Sequence, residues 1–204
     1  MFISIEGIEG AGKSSLAKAI VEFLEGHNKK VLLTREPGGT PIAESIRHVL
    51  LHAHPNEQLI PRAELMLMFA SRVQHVETLI KPSLKKGMWV VCDRFVDASF
   101  AYQGGGRQLG VDQVEILNKY ALNGFKPDLT LLLDLDVNCA LSRLENREKD
   151  KIEQESFAFF SAVRQAYLQQ AELNPTRIKV VDASLMQEQV IKNAINCLQG
   201  FINV

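Results

Sequence analysis

Several features are scarce or missing in this sequence, and each scarcity excludes a class of protein. Three of the 204 residues are cysteine, Cys92, Cys139 and Cys197, and no C-x-x-C spacing occurs. Neither a zinc site nor a disulfide framework is therefore indicated. The formal net charge is −1, which argues against a broad basic surface for a nucleic-acid duplex. The longest apolar runs fall far short of the roughly 20 residues that cross a bilayer.

The first residues also lack a basic segment followed by an apolar one, the pattern of a secretory signal. Together these absences predict a soluble, cytoplasmic protein that binds neither nucleic acid nor a membrane. A single nucleotide is still compatible with the charge, because a few arginines can bind one phosphate without changing the total.

No long linker, repeat or low-complexity stretch divides the chain, and 46% of its residues are apolar. Length and composition therefore predict one domain spanning residues 1–204. Five short apolar runs have the length of buried strands, and helical patterns lie between them. The runs are residues 2–6, 31–34, 89–93, 129–135 and 178–182. This alternation predicts an α/β fold, with a five-stranded parallel sheet and helices on both faces.

The strongest signal is a motif directly after the first run. Residues 7–14 read Gly-Ile-Glu-Gly-Ala-Gly-Lys-Ser, which is the phosphate-binding loop pattern. A predicted strand precedes the motif and a helical pattern follows it, as the motif requires. Backbone N–H groups of such a loop and the helix N-terminus point at phosphate oxygens. The motif predicts a nucleoside triphosphate ligand, with Lys13 on the β- and γ-phosphates and Ser14 on Mg²⁺.

Polar or charged residues follow each of the five predicted strands. Ligands of parallel sheets bind outside the carboxyl ends of the strands, so five polar ends predict one large site. These ends are the phosphate loop, residues 35–39, Asp93-Arg94, Asp134 with Asp136, and residues 182–184.

Two further patterns distinguish between classes of phosphate-loop protein. A GTPase would carry N-K-x-D to read guanine, but Asn118-Lys119 is followed by Ala121 where the aspartate should stand. An aspartate followed directly by a cation, Asp93-Arg94, suits two adjacent phosphate groups better than an attacking water. A kinase is favoured. A GTPase-like switch and a nucleotide-binding protein without turnover are the alternatives from other classes.

An ordered set of motifs closely resembles the bacterial thymidylate kinase family over nearly the whole chain. The set comprises the phosphate loop, TREPGGT at 34–40, Asp93-Arg94, AYQGGGR at 101–107, PDLT at 127–130, and the stretch from Arg147 to IEQES at 152–156. The resemblance implies a P-loop three-layer sandwich with a short lid at about 143–153, and a homodimer. It also implies phosphoryl transfer from ATP to dTMP with Mg²⁺, giving dTDP and ADP. A kinase for another pyrimidine monophosphate is the nearest alternative.

The same resemblance assigns the ATP half of the site. Lys13, Arg94 and Arg147 are the expected catalytic cations, and Arg147 is chosen from the lid because the phosphate loop contains no arginine. Asp93 is expected to support Mg²⁺ together with Ser14. The expected ATP-binding residues are Gly7, Ile8, Glu9, Gly10, Ala11, Gly12, Lys13, Ser14, Ser15, Arg143 and Asp182.

For the phosphate and sugar of dTMP, the resemblance implies four side chains. Arg94 grips the acceptor phosphate together with Arg35. Glu9 accepts the 3′-hydroxyl of the sugar. Tyr102 packs under C2′, where a ribose hydroxyl would collide.

The thymine pocket is expected on the helix around residues 62–80. Phe69 and Arg72 are three residues apart and so share a helix face, with Phe69 stacking on the base and Arg72 donating to its O4. Ser99 and Gln103 pair with the base edge. The full expected dTMP set is Glu9, Arg35, Pro37, Arg47, Phe69, Arg72, Arg94, Ser99, Tyr102 and Gln103.

Residues 65–70 read Leu-Met-Leu-Met-Phe-Ala, an apolar run longer than one helical turn. A helix packed only on its own sheet would carry a polar outer stripe. The run therefore predicts that a second copy of the chain covers this helix.

Overall fold

An entirely parallel sheet of five strands lies at the centre of the fold. The computed structural model describes residues 1–52, 56–143 and 151–202. The strands are β1 (Phe2–Glu6), β2 (Val31–Arg35), β3 (Trp89–Asp93), β4 (Leu129–Asp134) and β5 (Ile178–Asp182). Their order across the sheet is β2-β3-β1-β4-β5. The predicted strands are confirmed, although β2 runs one residue further than expected and β4 ends one residue earlier.

Helices surround this sheet. They are α1 (Lys13–Gly26), α2 (Pro41–Leu51), α3 (Pro61–His75), α4 (Lys81–Lys85), α5 (Val96–Ser99), α6 (Val111–Leu122), α7 (Val137–Ser142), α8 (Phe157–Leu173) and α9 (Gln187–Ile202). Two π-helical segments, Val76–Ile80 and Phe100–Gly106, continue α3 and α5. Among the helices described, none is both long and apolar enough to cross a membrane.

The side chains of β1 show that both faces of the sheet are covered. Ile3 and Ile5 belong to a hydrophobic cluster with residues of α1 and α9, whereas Phe2 belongs to a second cluster with residues of α3 and α6. Successive side chains of a strand point to opposite faces, so β1 is buried on both. Each such side chain stabilises the fold by roughly 1.5–3 kcal/mol. The predicted α/β class, with helices on both faces of a parallel sheet, is confirmed.

Local capping chemistry starts two helices beside the carboxyl edge of the sheet. The Thr40 hydroxyl accepts a hydrogen bond from the Ala43 N–H at 3.4 Å, and Pro41 fills the first helical position of α2. The N–H that proline lacks would have no intrahelical partner at that position. The Asp136 carboxylate accepts the Asn138 N–H at 2.9 Å and so caps α7. These caps direct the segments that follow β2 and β4 away from the strand ends.

Candidate active site

The phosphate loop connects β1 to α1, as the motif predicts. Gly10 has a φ of 77°, and a Cβ there would lie 2.4 Å from the carbonyl oxygen of Ala140 in α7. Gly7 has a φ of 138°, and a Cβ there would lie 2.6 Å from the carbonyl oxygen of Leu133. Glycine is therefore required at both positions for conformation and for space. The loop is held tightly between β4 and α7.

Lys13 begins α1 and is almost completely buried, with 6% of its surface exposed. Its ammonium group donates a hydrogen bond to the Ile8 carbonyl at 2.7 Å, so it lies over the loop. Burial, reinforced by the nearby Arg94 cation, lowers the pKa of Lys13 to about 8. An incoming polyphosphate would relieve both effects, because it supplies the missing negative charge.

Ser14 and Asp93 form the pair of oxygen ligands expected for Mg²⁺. The Ser14 hydroxyl donates to Asp93 Oδ2 at 2.8 Å. The other carboxylate oxygen, Asp93 Oδ1, is buried and has no hydrogen-bond partner in the described part of the chain. A buried acceptor without a partner is costly, and a hard cation binds such oxygens well. The pair therefore fits a Mg²⁺ ion whose remaining ligands are substrate oxygens and water.

Arg94 follows β3 in a left-handed backbone conformation, with a φ of 69°. Its N–H donates to the Ile5 carbonyl at 3.0 Å, which continues the β1–β3 ladder by one bond. Its guanidinium donates to Glu9 Oε1 at 2.5 Å and to the Tyr102 hydroxyl at 2.9 Å. The Tyr102 hydroxyl donates to Glu9 Oε2 at 2.6 Å. The structure thus joins three predicted site residues, and non-glycine residues in this conformation cluster at functional sites.

Glu6 fixes the backbone next to Arg94, a role that the sequence analysis missed. Its Oε1 accepts the Phe95 N–H at 2.7 Å, and its Oε2 accepts the Tyr167 hydroxyl at 2.8 Å. Burial, reinforced by the charge of Asp97, raises the pKa of Glu6 to about 8. An acidic residue at the end of an apolar strand was the only available signal, and it did not distinguish this role from solvation.

These groups line one cleft of about 600 Å³ at the carboxyl edge of the sheet. Arg35 lies on its rim, with a side chain 56% exposed and paired with Glu44 at 3.1 Å. The cleft is lined by Glu9, Gly10, Gly12, Lys13, Ser14, Ser15, Arg35, Glu36, Arg47, Asp93, Arg94, Arg143 and Glu153. Four arginines and a lysine therefore surround a space that can hold several phosphate groups.

A smaller cavity continues inward from this cleft beside Tyr102. Its walls include Pro37, whose carbonyl accepts a hydrogen bond from Arg47 Nη1 at 2.8 Å. Gln103 also borders it and is 1% exposed. The Gln103 carbonyl oxygen is buried and takes no hydrogen bond from any described residue. Its volume is about 50 Å³, and its apolar walls and unmet polar group suit the edge of a nucleobase.

Three of the predicted base contacts do not line this cavity. Phe69, Arg72 and Ser99 are buried, and Arg72 is 0% exposed. Arg72 donates to Glu36 Oε2 at 2.6 Å, to the Ser99 hydroxyl at 3.0 Å and to the Phe95 carbonyl at 3.0 Å. Two of its five N–H bonds are left over by this count. Its contact with a base stays a prediction, as do those of Phe69 and Ser99.

Glu36, which belongs to the TREPGGT motif, is a functional residue that sequence analysis missed. One carboxylate oxygen accepts from Arg72, and the other lies 3.0 Å from His75 Nδ1. The opposite nitrogen of His75 lies 2.7 Å from the Thr34 hydroxyl. Glu36 also lines the cleft and the inner cavity. It therefore connects the end of β2 to the base-pocket side of α3.

A second cleft of about 260 Å³ lies on the other side of the phosphate loop. Arg143 forms part of both clefts and donates to the Gly10 carbonyl at 3.1 Å and to the Ala183 carbonyl at 3.5 Å. Asp182 ends β5 and accepts two hydrogen bonds from Ser184. The sequence analysis missed the apolar walls of this cleft, which include Leu185, Val190 and Ile191. Flat apolar walls beside an arginine suit a nucleobase.

Arg147, the predicted catalytic residue of the lid, lies outside the described residues. Of the predicted lid at 143–153, the structure describes residue 143 and residues 151–153. The structure brings the phosphate loop, Asp93, Arg35, Arg47, Arg94 and Arg143 together in the cleft, and Pro37, Tyr102 and Gln103 border the inner cavity. It does not bring Phe69, Arg72 and Ser99 to either surface.

The parallel sheet carries a phosphate loop after its central strand, and Arg94 lines the same cleft as Lys13 of that loop. This combination is typical of P-loop kinases that act on a phosphorylated acceptor. The thymidylate kinase family model matches residues 5–195. The chain belongs to the thymidylate kinase family.

Individual relatives agree with this assignment over nearly their full lengths. Thymidylate kinase from Chromohalobacter salexigens is 50% identical over 191 residues, which cover 93% of this chain and 90% of that protein. Thymidylate kinase from Pseudomonas putida is 46% identical and covers 99% of this chain and 96% of its own. The crystal structure of thymidylate kinase from Ehrlichia chaffeensis has a TM-score of 0.79 at 33% identity, covering 98% of both chains.

Proposed function

We propose that this site transfers the γ-phosphoryl group of ATP to the 5′-phosphate of dTMP, giving ADP and dTDP for the synthesis of dTTP. Family membership supports this reaction and does not favour a GTPase-like switch or a kinase for another pyrimidine monophosphate. The observation that carries the proposal is geometric. Lys13 of the phosphate loop and Arg94 of a second anion site line the same cleft.

The attacking group needs no general base from the protein. The second pKa of a phosphate ester is about 6, so the acceptor is largely ionised at neutral pH. Catalysis then rests on aligning two anions and neutralising their charge. Lys13, Arg35 and Arg94 supply that charge from one wall of the cleft.

For the donor, Lys13 contacts the β- and γ-phosphates and the loop N–H groups bind the phosphate oxygens. Arg143 packs against the adenine in the second cleft, with Asp182 at its edge. Ser14 and Asp93 would hold Mg²⁺, which would supply positive charge beside the donor phosphates. The unpartnered Oδ1 of Asp93 is the support for this assignment.

For the acceptor, Arg94 binds the phosphate of dTMP with help from Arg35 on the rim. Glu9 accepts the 3′-hydroxyl, and its second oxygen keeps the Tyr102 hydroxyl bond of 2.6 Å. The Tyr102 ring, 4% exposed, then fills the space beside C2′. The base enters the inner cavity, where Pro37 and Arg47 form one wall.

The base is bound from the side of α3. Gln103 presents its unpartnered carbonyl oxygen to the ring edge. Phe69 and Ser99 complete the pocket, and Arg72 approaches O4 with one of its two remaining N–H bonds. Because these three side chains are buried, this step requires a shift of the cavity wall when dTMP binds.

A single assay tests the reaction. Release of ADP, coupled to NADH oxidation, is measured with dTMP, dUMP, UMP and dGMP as acceptors. We expect turnover with dTMP, weaker turnover with dUMP and little with the other two. dUMP differs from dTMP by one methyl group, and one methyl group in an apolar pocket changes kcat/KM by about 10–200-fold. We therefore expect dUMP to be the acceptor that is discriminated against least. Turnover with dGMP above that with dTMP would overturn the proposal.

The protein is also proposed to be a homodimer. Helices α2, α3 and α6 pack side by side and expose large apolar side chains. Those side chains are Ile42, Val49, Ile60, Met66, Val111, Ile116 and Tyr120. Leu65, Met68 and Phe69 are buried instead, so Met66 and Ala70 are the exposed members of the apolar run, and Met66 is the larger of the two. Light scattering should give a dimer at micromolar concentration, and Met66→Glu should dissociate it; a monomeric wild type would contradict the assignment.

Cysteine chemistry supports a cytoplasmic location. The three thiols are free, and Cys139 is exposed. Exposed thiols persist in a reducing compartment and are oxidised outside it. Fractionation of the host cell tests the assignment, and recovery with secreted proteins would contradict it.

A further inference from the structure

The orientation of the Gln103 side-chain amide is fixed by a neighbouring carboxylate. An amide carries a donor group on one side and an acceptor oxygen on the other, whereas an ionised carboxylate only accepts. Gln103 Nε2 lies 2.9 Å from Glu64 Oε1. The NH₂ group must therefore face Glu64, and the carbonyl oxygen must face away from it.

Glu64 is itself held firmly. Arg107 Nε lies 3.2 Å from both carboxylate oxygens, and Arg107 Nη2 lies 3.1 Å from Oε2. Arg107 in turn bonds Glu155 at 2.5 Å and lies over the Phe159 ring. Glu64 is 5% exposed. A carboxylate bonded in this way keeps its position, so its Oε1 is a constant acceptor for Gln103.

The carbonyl oxygen of Gln103 is left for a ligand. It is buried, and no described residue donates to it, although Gln103 borders the inner cavity. Such an acceptor destabilises the site until a donor reaches it. Thymine and uracil carry an N–H at ring position 3, whereas cytosine carries a lone pair there. The fixed amide can therefore pair with the first two bases and repels the third.

We propose that Glu64 is a specificity-determining positioning residue, which selects an N3–H base by holding the Gln103 amide in one orientation. This inference rests on the proposed function, because it requires a pyrimidine in the inner cavity. Glu64 touches no substrate and acts through Gln103. It discriminates against cytosine but not against uracil, which offers the same N3–H.

Glu64→Gln is the informative variant. The two arginine nitrogens near Oε2 keep the new carbonyl oxygen at that position, so the new NH₂ group faces Gln103. Gln103 must then turn its oxygen toward residue 64 and its NH₂ group toward the base. We expect KM for dTMP to rise about tenfold or more, as for a buried polar mismatch, with KM for ATP unchanged. The ratio of kcat/KM for dTMP to that for dCMP should fall by at least the same factor.

Glu155→Gln is the matched control, because it also removes a carboxylate partner of Arg107 but leaves the Glu64–Gln103 bond in place. It should keep the wild-type preference for dTMP over dCMP. If the two variants change that preference equally, Glu64 merely supports the local structure and the inference fails. If wild type does not phosphorylate dTMP at all, the proposed function fails instead.

A second variant covers the case in which Glu64→Gln does not fold. The double change Glu64→Leu with Arg107→Met replaces the buried pair by apolar side chains of similar volume, which is often tolerated. It frees the Gln103 amide to take either orientation. The preference for dTMP over dCMP should relax relative to wild type, and an unchanged preference in a folded double variant would overturn the proposal.

Discussion

Replacing Arg72 by alanine should destabilise the fold before it affects the chemistry. Arg72 is 0% exposed and forms an ion pair of 2.6 Å with Glu36, whose side chain is 2% exposed. It also donates to Ser99 and to the Phe95 carbonyl, each at 3.0 Å, and stacks on Phe69. The alanine variant leaves all of these groups without the arginine, while the His75 ring still lies 3.0 Å from Glu36 Oε1.

The expected cost follows from that burial. Removing one member of a buried ion pair costs about 3–5 kcal/mol, because the other charge stays in a poorly solvating place. With a urea m-value of roughly 2 kcal/mol per molar, the unfolding midpoint should fall by about 1.5–2.5 M. Total stabilities are about 5–15 kcal/mol, so a wild type above the bottom of that range leaves the variant folded in dilute buffer. A native baseline in the urea titration establishes this before ligand binding is measured.

Urea unfolding followed by circular dichroism measures the first effect. Lys119→Ala is the control, since its pair with Glu115 is 3.5 Å long and its side chain is 73% exposed. An exposed pair of this kind contributes less than about 1 kcal/mol. Calorimetry should also show weaker dTMP binding for Arg72→Ala, with ATP binding unchanged. Equal midpoints for Arg72→Ala and wild type would refute the buried network, and a loss confined to ATP binding would show that α3 serves the other substrate.

Three further predictions concern single side chains of the cleft. Because the pKa of Lys13 is lowered to about 8, the free enzyme loses this positive charge as the pH rises above 8, and kcat/KM for ATP should then fall about tenfold per pH unit. Lys13→Ala should abolish transfer at every pH while retaining part of the dTMP affinity. Tyr102→Ala should admit the ribose analogue of dTMP, and an unchanged preference for the deoxy form in paired assays would count against the steric role. Arg147→Ala should lower kcat by roughly a hundredfold or more, as for other arginines that stabilise a phosphoryl group in transfer; if titrations instead show weaker binding with kcat intact, Arg147 is a binding residue.

The sheet was predictable because its strands are short and buried on both faces. A strand such as residues 2–6 of this chain then has to be apolar throughout, and the phosphate loop fixes where it ends. The two boundary errors arose at Arg35 and Leu135. Arg35 pairs with Asp93 and so extends the β2–β3 ladder by one residue. A charged residue at the end of an edge strand gives no sequence signal of that pairing. Leu135 is buried but follows the last residue of β4. The apolar pattern in the sequence therefore continues one residue beyond the hydrogen-bonded strand.

The site was predictable where one motif carries the chemistry, and unpredictable where partners come from distant segments. Lys13 and Ser14 belong to a motif whose backbone dictates their use. Glu36 and Arg72 are 36 residues apart, and their pairing closes the guanidinium off from the cavity. Spacing along a helix predicts which side chains share a face, but it cannot predict which buried acceptor will accept their hydrogen bonds. For the same reason, the hydrogen bond between Glu64 and Gln103, which are 39 residues apart, could not be predicted from the sequence.

The central strand accounts for how the two phosphate sites come to face each other. Residue 5 of β1 pairs with Asp93 of β3, and the Ile5 carbonyl then accepts the N–H of Arg94. The next residue, Glu6, is the last of β1 and pairs with Leu132 of β4, and its carboxylate accepts the Phe95 N–H. The strand that leads into the donor loop therefore also fixes the backbone on both sides of the acceptor arginine. This ladder therefore fixes Arg94 beside the phosphate loop, and Arg94 and Lys13 line one cleft. Under the proposed function, that placement brings the two reacting anions together.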